Sequence, residues 1–157
     1  MAGPFLRLEG KTVRYAYRYE TETDEDGRIL VTFPDVPEAG DDGATLAEAL
    51  TEAGKSLVVA LQYRIKQREP IPAPSRPSRG QRTVALPALA AAKLALYSEM
   101  LARGLNTVSL AAMLGGESET EVRRLLDLGH ASRIRYVEAA LAALGKELVV
   151  ETRDRAA

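Results

Sequence analysis

Residues 70–82 read PIPAPSRPSRGQR and divide the sequence into two parts of different character. The segment contains four of the eight prolines in the 157-residue chain, together with two serines, a glycine and three arginines. Proline lacks a backbone donor and biases the preceding residue away from helix, so this composition predicts a linker. We therefore predict an N-terminal domain at residues 1–69, a linker at residues 70–82 and a C-terminal domain at residues 83–157.

The two parts also differ in charge. Residues 1–75 carry 13 acidic and 9 basic side chains, a balance of −4, whereas residues 76–157 carry 9 acidic and 12 basic side chains, a balance of +3. An acidic first part and a basic second part favour two different partners.

Composition also excludes several classes of protein. The chain has no cysteine, which excludes disulfides and thiolate metal sites. It has no apolar run of about 20 residues and no signal-peptide order at its N-terminus, so we expect a cytoplasmic protein. No motif for a cofactor, a metal or a catalytic nucleophile is present, and we predict that the chain is not an enzyme.

The N-terminal domain reads as a small sheet covered by one helix. Residues 11–20 alternate apolar and polar side chains and predict a strand, and residues 24–27 (DEDG) predict a turn into a second strand at residues 28–33. A short third strand is expected at residues 38–43. Thr45 and Glu48 form a capping box for the helix that follows, and a further strand is expected at residues 82–86.

The C-terminal domain reads as helical, so that the chain as a whole is α+β. The expected caps are Asn106 or Thr107, Ser118 with Glu121, and Ser132. The predicted helices are residues 89–103, 108–114, 119–128 and 133–144, with a possible terminal strand at residues 147–152.

Residues 105–127 have the order of a helix-turn-helix: a short helix, a glycine break and a second helix. Leu110, Leu114, Val122 and Leu125 would form the core between the helices. An ordinary helical packing unit is the alternative. If the segment binds DNA, arginine can pair with guanine or phosphate, so Arg123 and Arg124 are the main candidates. The full set of DNA-binding candidates is Thr107, Ser118, Glu119, Thr120, Arg123, Arg124, His130 and Arg133.

His130 and the acidic side chains have more than one interpretation. His130, the only histidine, fits a loop residue that bonds to the backbone, or a phosphate contact. The acids at residues 20–26 and 35–42 fit solvated turns, a surface complementary to a basic protein, or a metal site of a nuclease.

The stretches DEDGRILVTFPDVPEAG, ATLAEALTEAGKSLVVAL and IPAPS resemble the HicB antitoxin family. The motif FPDxPE (Phe33 to Glu38) and the motif RLLDxxH (Arg124 to His130) support the resemblance, which spans roughly residues 12–150. It implies an N-terminal partial ribonuclease-H-like sheet without catalytic residues, joined to an all-α helix-turn-helix domain.

The resemblance also implies partners. HicB proteins bind and mask a small basic HicA toxin that cleaves mRNA, form dimers, and repress their own operon. The candidate toxin contacts are Asp24, Asp26, Phe33, Pro34, Asp35 and Glu38. We expect a homodimer or a higher homo-oligomer through the C-terminal domain, by way of residues 147–152 or the helix at residues 133–144.

Three other functions compete with this one. A stand-alone transcriptional regulator would sense a ligand with its N-terminal domain. An adaptor with a degenerate helix-turn-helix would bind protein only. An active nuclease would need carboxylates on neighbouring strands.

Overall fold

The computed structural model describes residues 5–8, 11–152 and 154, and it has the α+β architecture that the sequence predicts. Its strands are β1 (Phe5–Leu8), β2 (Lys11–Arg14), β3 (Ala16–Arg18), β4 (Glu20–Thr23), β5 (Ile29–Thr32), β6 (Gly40–Gly43), β7 (Thr83–Ala85) and β8 (Leu148–Val149). Its helices are α1 (Leu46–Gln67), α2 (Ala88–Ala102), α3 (Thr107–Met113), α4 (Glu119–Leu125) and α5 (Ile134–Ala143). None of the helices in these described ranges is both long enough and apolar enough to cross a membrane.

The chain divides into two compact units. One unit, called the sheet unit, comprises Tyr15–Leu86, and the other, called the helical unit, combines Met1–Arg14 with Pro87–Ala157. These limits differ from the predicted ranges, because β2 groups with the later helices and residues 70–82 group with the sheet unit. The helical unit also contains a three-stranded sheet of order β2-β1-β8, in addition to the helices expected there.

Residues 70–82 group with the sheet unit because hydrogen bonds fix them to it. The Tyr17 hydroxyl donates to the carbonyl oxygen of Pro72 at 2.9 Å, and burial raises the pKa of this hydroxyl well above its usual value. The carboxylate of Asp35 accepts from the Ser75 amide at 2.9 Å and from the Ser75 hydroxyl at 2.8 Å. The prolines keep the segment out of helix, and long-range polar contacts fix its path.

The main sheet of this unit has the antiparallel order β4-β5-β6, with Glu20 opposite Thr32 and Val31 opposite Asp41. Helix α1 packs against β5 and β6. Val31 and Phe33 alternate into the core, while Leu30 and Thr32 point outward. The predicted turn at residues 24–27, the second strand and the third strand are thus confirmed, whereas the strand that pairs with β5 is β4 and not the predicted strand at residues 11–20.

The predicted cap of α1 is also confirmed. The Thr45 hydroxyl accepts from the Glu48 amide at 3.2 Å, and the Glu48 carboxylate accepts from the Ala44 amide at 3.1 Å. The turn that enters α1 is tight: a Cβ on Gly43 would lie 2.5 Å from the Ala49 nitrogen. Only glycine lets β6 approach the helix this closely.

The single strand predicted at residues 11–20 is wrong, since the structure divides it among β2, β3 and β4. Tyr15, Ala16 and Tyr17 are buried in succession, which breaks the alternation that one continuous strand would need. Strand β2 pairs with β1, whereas β3 pairs with β7, with Tyr17 opposite Val84. The alternation of tyrosines in the sequence is typical of one continuous strand, and it gives no sign that β2 and β3 belong to different sheets.

In the helical unit, α2 lies at the centre and packs against α5, and α3 packs against α4. Asn106 caps α3 by accepting from the Ser109 amide at 2.8 Å, and Ser118 caps α4 by accepting from the Glu121 amide at 3.2 Å. The predicted Ser132 cap is wrong: α5 starts after Arg133 without a side-chain cap. The Ser132 hydroxyl instead donates to the Arg124 carbonyl at 3.3 Å.

The expected terminal strand is present as the two-residue β8. It pairs antiparallel with β1 of the same chain, with Leu6 opposite Leu148. Strand β8 lies at the edge of its sheet, so its other side has no partner strand in this sheet among the residues that the structure describes. Dimer formation by pairing of β8 across a two-fold axis stays a prediction, and so does dimer formation through α5.

Candidate functional site

The segment from α3 to α4 has the geometry of a helix-turn-helix. Leu110, Ala111, Val122 and Leu125 are buried between and beneath the two helices. Gly115 and Gly116 make the turn at φ values of +85° and +89°, a left-handed conformation that favours glycine. The two-glycine break therefore serves to turn the chain between the helices.

The outward side of α4 presents Thr120, Arg123 and Arg124 to solvent. Each arginine is paired within its own helix: Arg123 donates to Glu119 at 2.7 Å, and Arg124 donates to Glu121. These ion pairs are exposed and lie three or four residues apart, the spacing that brings side chains together on a helix. To bind DNA, each guanidinium group would have to leave its carboxylate partner and bind a phosphate or base oxygen instead.

Three other candidate DNA contacts have structural roles. The Thr107 hydroxyl donates to the same Glu119 carboxylate at 2.9 Å, which links the first residue of α3 to the first residue of α4. Ser118 is the cap of α4. These contacts fix the angle between the helices, so Thr107, Ser118 and Glu119 position the arginines whether or not they touch DNA.

A groove of about 440 Å³ beside α4 contains the remaining basic candidates. Arg124, His130 and Arg133 all line it, together with the ring of Tyr136. The imidazole of His130 contacts the Ser132 hydroxyl at 3.0 Å, and both His130 and Arg133 are exposed. The structure thus places three cationic or titratable candidates along one groove, and Thr107, Glu119 and Arg123 in a separate hydrogen-bonded group.

The end of α4 is fixed by a buried lysine that sequence reasoning missed. Lys93 is fully buried in α2, and its Nζ donates to the carbonyl oxygens of Arg124, Asp127 and His130 at 2.9, 2.6 and 2.7 Å. Burial lowers the pKa of this ammonium group, and the nearby charge of Asp127 partly opposes the shift. The position of Lys93 in the apolar run AAAKLAL was the available signal, because a lysine on a helix buried on all sides needs partners.

In the sheet unit, most of the candidate toxin contacts have internal roles. Phe33 is fully buried in the core. Asp24 accepts from the Asp26 and Arg28 amides at 3.0 and 2.8 Å within the turn, and Glu38 pairs with Arg64 of α1. Asp35 binds Ser75, as described above. Phe33, Asp35 and Glu38 of the FPDxPE motif therefore make contacts within the sheet unit. Of the other candidates, Asp26 is exposed and Pro34 is partly exposed.

The outer face of the sheet carries a different acidic group, which we call the outer acidic face. Antiparallel partners share a face, so Glu22, Leu30 and Asp42 lie side by side, with Glu20 and Thr32 next to them. Leu30 is 38% exposed at the centre, and Asp42 pairs with Arg28 at one border. The alternation of β5 was the signal for this face, since Leu30 and Thr32 must point opposite to Val31.

Helix α1 presents a second exposed apolar feature on the same unit. Val59 is 68% exposed and Tyr63 is 58% exposed, one helical turn apart.

Within the residues that the structure describes, no three histidine or acidic side chains lie close enough to share a metal ion.

The sequence is similar to a known family of proteins along most of its length. Residues 14–95 match a family described as the HicB-like antitoxin of bacterial toxin-antitoxin systems. Antitoxin HicB 2 of Photorhabdus laumondii subsp. laumondii is 39% identical over 138 residues, which cover 88% of this chain and 95% of that protein. The chain belongs to the HicB-like antitoxin family.

Two further relatives agree. Antitoxin HicB of Escherichia coli K12 is 35% identical to this HicB-like chain over 123 residues, 78% of this chain and 88% of that protein. Antitoxin HicB of Pseudomonas fluorescens is 33% identical over 140 residues, 88% of this chain and 94% of that protein.

These matches extend over both units of the HicB-like chain. The family match at residues 14–95 contains the whole sheet unit and ends within α2. A span of 138 residues within a chain of 157 includes α3 and α4 wherever it begins. The similarity to named HicB antitoxins thus includes the helix-turn-helix as well as the sheet.

Proposed function

We propose that this HicB-like chain neutralises a small basic mRNA-cleaving toxin of the HicA kind through its sheet unit, and represses its own operon through its helix-turn-helix. The observation that carries the proposal is the distribution of charge. An acidic sheet surface and a helix with outward arginines lie on two different units. Membership of a family of antitoxins supports the same division.

The outer acidic face suits a basic protein partner. Glu20 and Glu22 are exposed beside Leu30, so the face combines an apolar centre with carboxylates around it. Protein interfaces gain binding energy mainly at a desolvated apolar centre, while surrounding charges select and steer the partner. We assign toxin binding to this face, and inhibition would then follow because the bound antitoxin covers the surface that RNA must reach.

The paired arginines of α4 suit DNA despite their carboxylate partners. An exposed ion pair contributes only about 0–1 kcal/mol, whereas a bidentate contact of arginine with guanine provides about 1–3 kcal/mol of discrimination. The exposed pairs with Glu119 and Glu121 therefore cost little to break when Arg123 and Arg124 bind a base or a phosphate. A dimer would place two such helices in successive major grooves, about one helical turn of DNA apart.

Two measurements test the proposal. The full-length chain is expected to co-purify with the small basic protein encoded beside it and to block its cleavage of mRNA. It is also expected to protect its own promoter from nuclease digestion, and Arg123→Ala/Arg124→Ala should abolish that protection. Arg28→Ala/Lys55→Ala removes two cations that are also ion-paired and serves as the control. A chain that neither binds the neighbouring protein nor protects the promoter would overturn the proposal.

A further inference from the structure

The sheet unit contains a cationic turn that neither the antitoxin role nor the helix-turn-helix uses. Residues 76–82 carry Arg76, Arg79 and Arg82, and we call this segment the arginine turn. The chain from residue 70 to residue 98 contains no aspartate or glutamate, so no acid in the neighbouring sequence balances these charges.

The arginine turn has a defined conformation. The Gln81 amide donates to the Ser78 carbonyl at 3.0 Å, and the Gln81 side chain accepts from the Ser78 amide at 2.9 Å. Gly80 sits at the third position of this turn with a φ of +85°, as a type II turn requires. The segment is fixed before the turn by the Asp35–Ser75 hydrogen bonds and after it by the pairing of β7 with β3.

The three arginine side chains are exposed, and none makes an ion pair or a side-chain hydrogen bond within the described residues. Most other arginines in the same ranges behave differently: Arg28, Arg64, Arg123 and Arg124 each pair with a carboxylate. Three like charges within seven residues repel one another, and a bound polyanion relieves that repulsion.

The chemistry of the segment selects the class of ligand. Guanidinium groups bind phosphate oxygens with two parallel hydrogen bonds. Residues 70–82 contain no aromatic side chain, so the turn lacks the aromatic rings on which single-strand binders stack unpaired bases. The side-chain oxygen of Gln81 accepts from the Ser78 amide, so this acceptor is not free to read a base edge.

We propose that the arginine turn binds the phosphate backbone of duplex DNA and gives the sheet unit a sequence-independent nucleic-acid contact of its own. The contact goes beyond operator recognition, because it acts equally on any duplex. It adds affinity and salt dependence without adding specificity.

The test uses the full-length chain and two short duplexes, one from its own promoter and one of unrelated sequence, over a series of salt concentrations. Arg76→Ala/Arg79→Ala is compared with Arg28→Ala/Lys55→Ala, which removes two cations from the same unit. The arginine-turn variant is expected to bind both duplexes about tenfold or more weakly. Its plot of log affinity against log salt should be shallower by about 1–2, because each lost phosphate contact removes roughly 0.9 from the slope. Thermal unfolding of each variant confirms that it is folded.

Several results would overturn the inference. An unchanged affinity and slope for Arg76→Ala/Arg79→Ala would do so, and so would an equal loss in the control variant. Tighter binding of a single-stranded RNA than of either duplex would assign the turn to another ligand. A failure of the proposed operator recognition can be distinguished from a failure of this inference. If only operator recognition fails, the wild-type chain binds both duplexes equally, and the arginine-turn variant still binds both more weakly.

Discussion

The buried ammonium group of Lys93 donates a hydrogen bond of 2.6 Å to the carbonyl oxygen of Asp127. Two further carbonyls, of Arg124 and His130, complete its set of acceptors. The Arg124 carbonyl lies in the last turn of α4, and the carbonyls of Asp127 and His130 lie in the loop that follows. A cation from the central helix α2 therefore joins the end of α4 to this loop. The orientation of the proposed DNA-reading helix thus depends on a residue that is not exposed to DNA.

Replacement of this lysine is expected to destabilise the fold. Lys93→Met keeps the length of the side chain but removes three hydrogen bonds from the ammonium group. Each carbonyl keeps a backbone donor, so the expected cost is about 1–3 kcal/mol. Urea unfolding of the full chain measures this loss. Lys55→Met, at an exposed position of α1, is the control and should change stability by about 0.5 kcal/mol or less. Equal stability of Lys93→Met and wild type would show that the three hydrogen bonds contribute nothing.

Gly43 and Gly54 should respond to alanine in opposite directions. A Cβ at Gly43 would overlap the backbone of α1, so Gly43→Ala is expected to cost about 1–3 kcal/mol. Gly54 lies inside α1, and a Cβ there would meet only a Val84 methyl at 3.8 Å. Gly54→Ala should therefore stabilise the chain by up to about 1 kcal/mol through helix propensity. Thermal unfolding compares the two, and a stabilising Gly43→Ala would contradict the close approach of β6 to α1.

Asp35 should control the order of residues 70–82. Asp35→Ala removes both hydrogen bonds to Ser75, so the segment loses one of its attachments to the sheet unit. We expect faster tryptic cleavage after Arg79 and Arg82, because a protease needs a locally released backbone. Asp26→Ala, at an exposed turn position, should leave the cleavage rate unchanged. Identical digestion of Asp35→Ala and wild type would show that other contacts suffice.

The ion pair between Glu38 and Arg64 predicts a specific dependence of stability on pH. The hydrogen bond from Arg64 lowers the pKa of Glu38 in the folded chain. A carboxyl group with a lowered folded pKa stabilises the fold above its unfolded pKa of about 4.3, and that contribution is lost as the pH falls through the folded pKa. Because both side chains are partly exposed, the effect should be about 1 kcal/mol or less.

The Glu38→Gln variant isolates this contribution. The variant should be less stable than wild type at pH 7, and the difference should shrink as the pH falls below about 4. Denaturant unfolding at several pH values provides the measurement. A difference that is constant across this range would assign the loss to packing instead of charge.

The parts of this fold that could be predicted from the sequence depend on interactions between residues that are close together in the chain. The caps at Thr45 and Ser118 depend on neighbours three residues away, and the outward Leu30 follows from strand alternation. The carboxylate of Asp35 binds a serine 40 residues later, and Lys93 binds carbonyls more than 30 residues later. Such partners are invisible in a local pattern. For the same reason Phe33 and Glu38, named as toxin contacts from a motif, have internal roles that only the folded chain reveals.

Toxin binding and operator recognition are proposed to belong to different units. The most direct measurement is a titration of toxin ribonuclease activity with two full-length variants, Glu20→Lys/Glu22→Lys on the outer acidic face and Arg123→Ala/Arg124→Ala on α4. Glu117→Lys/Asp154→Lys reverses two exposed acids of the helical unit outside the predicted dimer elements and is the control. We predict that Glu20→Lys/Glu22→Lys loses inhibition by tenfold or more, about 1.4 kcal/mol, while the other two variants inhibit like wild type. Full inhibition by Glu20→Lys/Glu22→Lys, or loss of inhibition by Arg123→Ala/Arg124→Ala, would contradict the claim.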